Sequence, residues 1–461
     1  MPFLIPPLRE ALKSAVQKAR VAAEQGARLA LDGLAVGHPK FFPFMSPEQQ
    51  ELRNRLRARA RQLGDVRAPD DRHSLDNLIE ACAYEHWHRM LFARFLAENN
   101  LLVEPEMGVP ISLEECKEFA QEQGVDTWTL ASRFAQRLLP QIFRPEDPVL
   151  AVDLPPEHAT ELQLLLLGLD RAVFLGEDAL GWSYQYWQGE RKDAINATGD
   201  KIGAKQLAAV TQLFTEDYMV LFLVHNTLGA WHAGKVMVSN AANAAKADLF
   251  RTAASEEELR RSLALPGVEW EYLRFVREDE TGWRPAAGTF SGWPIHAREL
   301  KVLDPCCGSG HFLVVLLKHL TALRMTEEGL GPREAVNAVL RDNLFGLELD
   351  ERATQIAVFA VGLAAWTHPG SGGYRELSEI HLACSGIAIS GTREDWSNIA
   401  GNSKELRIGL EYLHHLYKDA PILGSLIDPL SNIRDGDLFN IEWEALSPLL
   451  LTALNREVEH E

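Results

Sequence analysis

One segment of this 461-residue chain has residue types arranged for ligand chemistry: Val302-Leu303-Asp304-Pro305-Cys306-Cys307-Gly308-Ser309-Gly310-His311-Phe312. It predicts a short strand that runs through a loop with two glycines into a helix. Small residues in such a loop let the backbone approach a bound ligand, and the free N–H groups at the helix start favour an anionic group. A dinucleotide or a nucleoside cofactor could use it. The dinucleotide fingerprint needs a third glycine three residues after the second, where this sequence has Leu313. It also needs an acidic residue about 20 positions on, whereas Glu348 follows a much longer excursion. The Gly-Lys-Ser/Thr of a Walker-type phosphate loop is absent. These features favour a nucleoside.

The elements that must position this loop follow from the hydrophobic pattern. After Arg298 the sequence alternates between strand and helix: strands over 300–304, 343–348 and 380–384, with helices over 311–325 and 351–366. Phe312, Leu313, Leu316 and Leu320 fall on the buried side of the first of these helices. Strands separated by helices imply parallel pairing with right-handed crossovers, the first half of a doubly wound sheet. The first 200 residues read instead as helices, over 8–35, 47–63, 74–99, 113–124, 127–139 and 157–170. Ser46 followed by Pro47 is a helix start signal. Arg53, Arg55, Arg57, Arg59 and Arg61 spread around the second helix, which suggests a solvated surface before a phosphate-contacting patch. His86 and His88 stand two apart and so point to different faces, which favours a structural role over metal binding. Residues 252–299, broken by Trp283, Pro285, Gly288, Gly292 and Pro294, read as a connector with short pieces of structure and a domain boundary.

Composition narrows the classes. Hydrophobic residues make up 46% and charged residues 24%, which excludes wholesale disorder. A formal charge of −19 argues against a surface that is everywhere a trap for DNA or anionic membrane, while leaving room for a local basic groove. The five cysteines include no Cys-x-x-Cys pair, so neither a zinc site nor a disulfide framework is expected. The first residues are broken by prolines, and the apolar run at 162–169 is far shorter than a membrane span. A cytoplasmic protein without a membrane segment is the expectation.

Asp304-Pro305-x-x-Gly308-Ser309-Gly310-x-Phe312 resembles motif I of the adenine-N6 DNA methyltransferases, and Phe345-Gly346-Leu347-Glu348-Leu349-Asp350 resembles their motif II. The resemblance implies S-adenosylmethionine (SAM) as cofactor. Asp304, Gly308, Ser309 and Gly310 would then shape the pocket for its methionine part. Glu348, at the end of the second strand, would accept hydrogen bonds from both ribose hydroxyls. Phe214-Thr215-Glu216 resembles the Phe-Thr-Pro turn of motif X, with Glu216 where the family has proline. Thr215 would cap the following helix, and in the family this turn covers the cofactor. Gly181-Trp182-Ser183-Tyr184-Gln185-Tyr186-Trp187 and the stretch from Lys418 to Ile427 resemble the large adenine methyltransferases of BREX and DISARM anti-phage systems. Taken alone, the aromatic cluster at 182–187 suggests packing. For the cofactor's adenine two segments compete. Asp437, in Asp435-Gly436-Asp437-Leu438-Phe439, fits the family pattern better, and Cys384-Ser385-Gly386 fits chain order. The organisation expected is α/β: an α-helical domain over 1–200, a motif X-like helical segment over 201–251, a connector over 252–299, and an incomplete Rossmann-like SAM-binding domain over 300–461.

Adenine-N6 transfer also needs Asn/Asp-Pro-Pro-Tyr/Phe/Trp, whose polar side chain and first carbonyl localise the lone pair of the adenine amine while the aromatic ring stacks on the flipped base. That tetrapeptide is absent. The Pro-Pro pairs, Pro6-Pro7 and Pro155-Pro156, lack both the preceding Asn or Asp and the following aromatic residue. No catalytic residue is therefore assigned, and no metal. The chain is expected to be either the N-terminal part of a longer enzyme or one subunit of a split enzyme, in which a companion polypeptide carries the tetrapeptide, the remaining strands and the target-recognition part, with DNA as substrate. The alternative is a non-catalytic interaction subunit of a defence complex.

Overall fold

The computed structural model describes residues 4–138, 147–198, 214–238, 244–278, 282–386, 389, 392–423, 426–428 and 443–459. Internal contacts divide the chain into two compact units. One comprises Met1–Thr211, Leu349–Glu351 and Cys384–Glu461, and the other Gln212–Glu348 with Arg352–Ala383.

The first unit opens with α1 (Pro6–Gly33), α2 (Pro47–Gln62) and α3 (Asp76–Glu98), each within two residues of its expected bounds. A small antiparallel ladder, β1 (Val103–Glu104) with β2 (Val109–Pro110), precedes α4 (Leu113–Gln123), α5 (Thr127–Leu138), α6 (Pro156–Leu167), α7 (Arg171–Phe174) and α8 (Ala179–Thr198). The start of α2 is fixed as its sequence implies. The Ser46 side chain accepts the Gln49 N–H, Gln49 returns the bond to the Ser46 backbone, and Pro47 fills the first turn. Helix α1 lies against α3, α6 and α8. Helix α3 is apolar nearly all round, burying Leu78, Tyr84, Trp87, Leu91 and Phe95, and so forms the centre of the bundle.

The arginines of α2 divide differently from either expectation. Arg53 is buried and donates to the carbonyls of Ala35 (2.8 Å) and His38 (2.6 Å), the chain just beyond α1. Arg57 pairs with Asp71 at 3.0 Å and Arg59 with Asp147 at 3.0 Å. These guanidiniums tie loops to the helix; they are neither a solvated face nor a phosphate patch. His86 and His88 are buried, with His88 stacked on Tyr84 at 3.7 Å between ring centroids. Trp187, from the aromatic cluster of α8, is fully buried and meets Tyr84 and His88 edge-on.

The second unit begins with α9 (Asp217–Val224), which passes through a π turn (His225–Gly229) into α10 (Ala230–Met237). Then follow α11 (Ala244–Thr252), α12 (Glu256–Leu263), the antiparallel pair β3 (Phe275–Glu278) and β4 (Gly282–Pro285), and β5 (Val302–Asp304). After these come α13 (His311–Glu328), α14 (Pro332–Asp342), β6 (Leu344–Glu348), α15 (Glu351–Thr367) and β7 (His381–Cys384). Strand order is β5-β6-β7, and β5 runs parallel to β6 with Val302 opposite Leu344 and Asp304 opposite Gly346. The chain is α/β, rich in helix, with small sheets.

One core joins these pieces: Leu313, Leu316 and Leu320 of α13, Val336 and Val339 of α14, Leu344 of β6 and Val361 of α15. Val220 and Val224 of α9 reach the same core, as do Trp270, Leu273 and Phe275 from the stretch expected as a connector. The indole of Trp283 donates to the Ala253 carbonyl at 2.8 Å and fastens β4 to the end of α11. Helix α14 was not foreseen, although Pro332 after Gly331 is a start signal of the kind seen at α2.

Further helices of the first unit are α16 (Arg393–Ile399), α17 (Lys404–Tyr417), followed by the single turn Ala420–Leu423, and α18 (Trp443–Glu459). They bury Trp396, Leu410, Leu413, Leu446 and Leu450 in a core of their own. The reciprocal cap of Thr392 and Asp395 that opens α16 is legible in hindsight.

Candidate cofactor site

The glycine loop extends the pairing of β5 with β6. The Cys307 N–H donates to the Leu347 carbonyl at 2.9 Å, which prolongs the ladder past Asp304. The next N–H, of Gly308, donates to Glu348 Oε2 at 2.7 Å. Glu348 thus closes the loop from the end of the neighbouring strand, and it is buried at 8% exposure. Within the loop, Asp304 Oδ1 accepts the Cys306 N–H at 3.2 Å and the Gly310 N–H reaches the Cys307 carbonyl at 2.8 Å. Burial pushes the Asp304 carboxyl above its usual range, with the Cys306 N–H pulling the other way.

The two glycines serve different ends. Both have left-handed backbones, φ +54° at Gly308 and +82° at Gly310, which a side chain would strain. A Cβ on Gly310 would lie 3.0 Å from the Cα of Ala357, so α15 presses against the loop there. A Cβ on Gly308 would meet nothing within 4 Å. Gly308 therefore fronts open space that a side chain would fill. The buried Glu348 carboxylate meets the loop at this same residue, through the Gly308 N–H. Ser309 sits between the two glycines, partly buried. Gly346 of β6 is a third close approach: a Cβ there would lie 2.9 Å from Cδ1 of Leu313, so the α13 side chain packs directly on the strand.

The motif X-like turn departs from expectation at one residue. Glu216, not Thr215, takes the N-cap position of α9, and no side chain caps that helix. The reason is register: α9 starts at Asp217, so Thr215 lies one residue too early to reach the helix N–H groups. His311, the first residue of α13, meets the turn. Its Nε2 lies 2.7 Å from Asp217 Oδ1, and the Phe214 ring lies against its imidazole with centroids 4.7 Å apart. Neither residue of the His311–Asp217 pair was singled out in the sequence. His311 stands at a variable position of the glycine motif, and its partner is remote in the chain.

Of the two segments expected at the cofactor's adenine, Asp437 lies outside the described residues. Cys384, at the end of β7, places its Sγ 3.5 Å from the Leu349 carbonyl, and a side chain at Gly386 would collide with that same carbonyl. The segment 384–386 therefore lies against the chain immediately after β6. Among the described residues no group of three or more His, Cys, Asp or Glu side chains could hold a metal ion. No described helix is long and apolar enough to cross a membrane.

The family of the MmeI DNA-methyltransferase domain matches residues 295–376, the stretch that holds the glycine loop, α13, α14, β6 and α15. The adenine-specific methyltransferase PglX of Lacticaseibacillus casei is 25% identical over 458 residues, covering 89% of this chain and 36% of its own. The adenine-specific methyltransferase BrxX of Escherichia coli is 28% identical over 216 residues, covering 46% of this chain and 16% of its own. This chain thus spans about a third or less of the length of these relatives. A solved DrdV–DNA complex aligns over 83% of this chain and 26% of the other, at 12% identity and a TM-score of 0.34, a likeness too slight to argue from. The similarity to adenine-specific methyltransferases implied by Asp304–Phe312 and Phe345–Asp350 therefore extends over most of the chain, and its domain match falls on the residues that build the loop.

Proposed function

We propose that this chain is the cofactor-binding part of a SAM-dependent adenine-N6 DNA methyltransferase that serves an anti-phage or restriction–modification system in the cytoplasm. One observation carries the reading: Gly308, left-handed and fronting open space, has its N–H held by the buried carboxylate at the end of the adjacent parallel strand. The order β5, α13, α14, β6, α15, β7 supports a half Rossmann-like sheet around that point. When bound, SAM supplies a methyl group made electrophilic by its sulfonium.

The chain's own residues bind and orient. Gly308, Ser309 and Gly310 take the methionine part against bare backbone, and Asp304 holds the turn before them through the Cys306 N–H. Glu348 holds the loop through Gly308 and offers carboxylate lone pairs to the ribose hydroxyls. By the family pattern Asp437, or by chain order the segment 384–386, would meet the adenine. The target base needs an Asn/Asp-Pro-Pro-aromatic tetrapeptide, which this sequence does not contain. Another stretch of polypeptide therefore supplies the groups that grip the base and read the DNA.

Equilibrium dialysis of the chain with methyl-tritiated SAM tests the reading. Saturable binding that excess NAD does not displace is expected, with no label passing to DNA from this chain alone. Absence of SAM binding, or displacement by NAD, would overturn it.

A further inference from the structure

The contacts of His311 reach beyond the loop to which it belongs. It follows Gly310, whose φ of +82° and close approach to Ala357 leave the start of α13 little freedom. Its side chain is 8% exposed, and its Nε2 lies 2.7 Å from Asp217 Oδ1, on the first residue of α9. The two atoms are close but off the line of a good hydrogen bond, and neither has another hydrogen-bond partner among the described residues. Such a pair is costly to bury unless it serves a purpose or is completed by a further group. The Phe214 ring covers the same imidazole. Val220 and Val224 of α9 share a core with Leu313, Leu316 and Leu320 of α13, so the two helices are anchored together below the pair. Above it, the turn 214–216 has no side-chain cap of its own. Phe214 of that turn and Asp217 just after it both meet His311 of the glycine loop's helix.

We propose that His311 and Asp217 act as a unit, with Phe214, to position the turn 214–216 beside the glycine loop, and that affinity for a nucleoside sulfonium depends on the pair. His311 and Asp217 are positioning residues here, not catalytic ones. The inference rests on the reading that the glycine loop binds such a ligand.

Calorimetric titration of the full chain with SAM tests it, using His311→Ala, Asp217→Ala, the double variant and the milder Asp217→Asn. Each alanine variant is expected to bind about tenfold more weakly, the scale of one lost polar contact. The double variant should lose no more than the weaker single variant, because either change breaks the same unit. Asp217→Asn, which keeps the shape and one oxygen facing the imidazole but not the carboxylate charge, should recover only part of the loss; a side chain that merely fills space would predict wild-type affinity for Asp217→Asn. Thermal melts confirm that the variants fold. Single variants that bind like the wild type, or losses that add in the double, overturn the pair while leaving the glycine loop as the binding site. A wild-type chain that binds no SAM removes that site, and the pair's role with it.

Discussion

The two segments that meet at the candidate site are held in different ways. The glycine loop is fixed through its own backbone: the Cys307 N–H donates to the Leu347 carbonyl and the Gly308 N–H to the Glu348 carboxylate, and both glycines take dihedrals that other residues avoid. The turn 214–216 is fixed by side chains, through Phe214 and Asp217 to His311, with no cap of its own. Backbone demands restrict residue types at fixed spacing, so they leave a motif. Side-chain contacts between remote positions leave none. This difference separates what could be read in advance from what could not.

The comparison breaks most readily at Gly310. Replacing it with alanine adds a Cβ 3.0 Å from the Ala357 backbone at a φ of +82°. A loss of about 2–4 kcal/mol in the stability of the second unit is expected, from left-handed strain plus overpacking. Denaturant unfolding measures it, and an unchanged midpoint would mean the loop is not braced by α15. Glu348 comes next. Glu348→Ala removes both the acceptor of the Gly308 N–H and the expected ribose ligand, and should weaken SAM binding by at least about tenfold. Glu348→Gln keeps one carbonyl oxygen for Gly308 and should fall between wild type and alanine. Equal affinity in all three forms would reject the assigned role.

Acid sharpens the comparison by loading side chains and leaving the backbone alone. His225 and His319 share a hydrogen bond of 3.1 Å in the core of the second unit. The Tyr272 N–H donates to His225 Nδ1, and His319 Nδ1 faces the Val315 carbonyl, so both rings are held neutral. Burial pushes His225 down to about 3, with His319 adding to the effect, and pushes His319 down to about 4. Folded values below the unfolded one mean that the unfolded chain binds more protons between them. Stability should therefore be full above about pH 6.5, the unfolded histidine value, and fall as pH drops toward 4. Melting temperatures across that range check the sign, and a rise on acidification would contradict it. The smallest effect belongs to Thr215. Because Glu216 holds the cap position, Thr215→Ala should change stability by less than about 0.5 kcal/mol. A larger loss would restore Thr215 as the cap.

Much of the scaffold was legible for the same reason as the glycine loop. Helices α1 to α3 and the strand–helix alternation after 300 follow from hydrophobic period and from local signals such as Ser46-Pro47. Arg53 and Arg57 were misread because their partners, the chain beyond α1 and Asp71, are set by tertiary packing. Residues 252–299 looked like a connector because prolines and glycines interrupt its period, yet Trp270 and Phe275 are core residues. The second role of Glu348, holding the Gly308 N–H, could not be read because motif spacing does not reveal a bond across 40 residues.

The most direct test of the central claim is an experimental structure of the chain grown with SAM. The account predicts the methionine part against Gly308 and both ribose hydroxyls within hydrogen-bonding reach of Glu348. A ligand bound elsewhere, or a loop in which side chains fill the space beside Gly308, would contradict it.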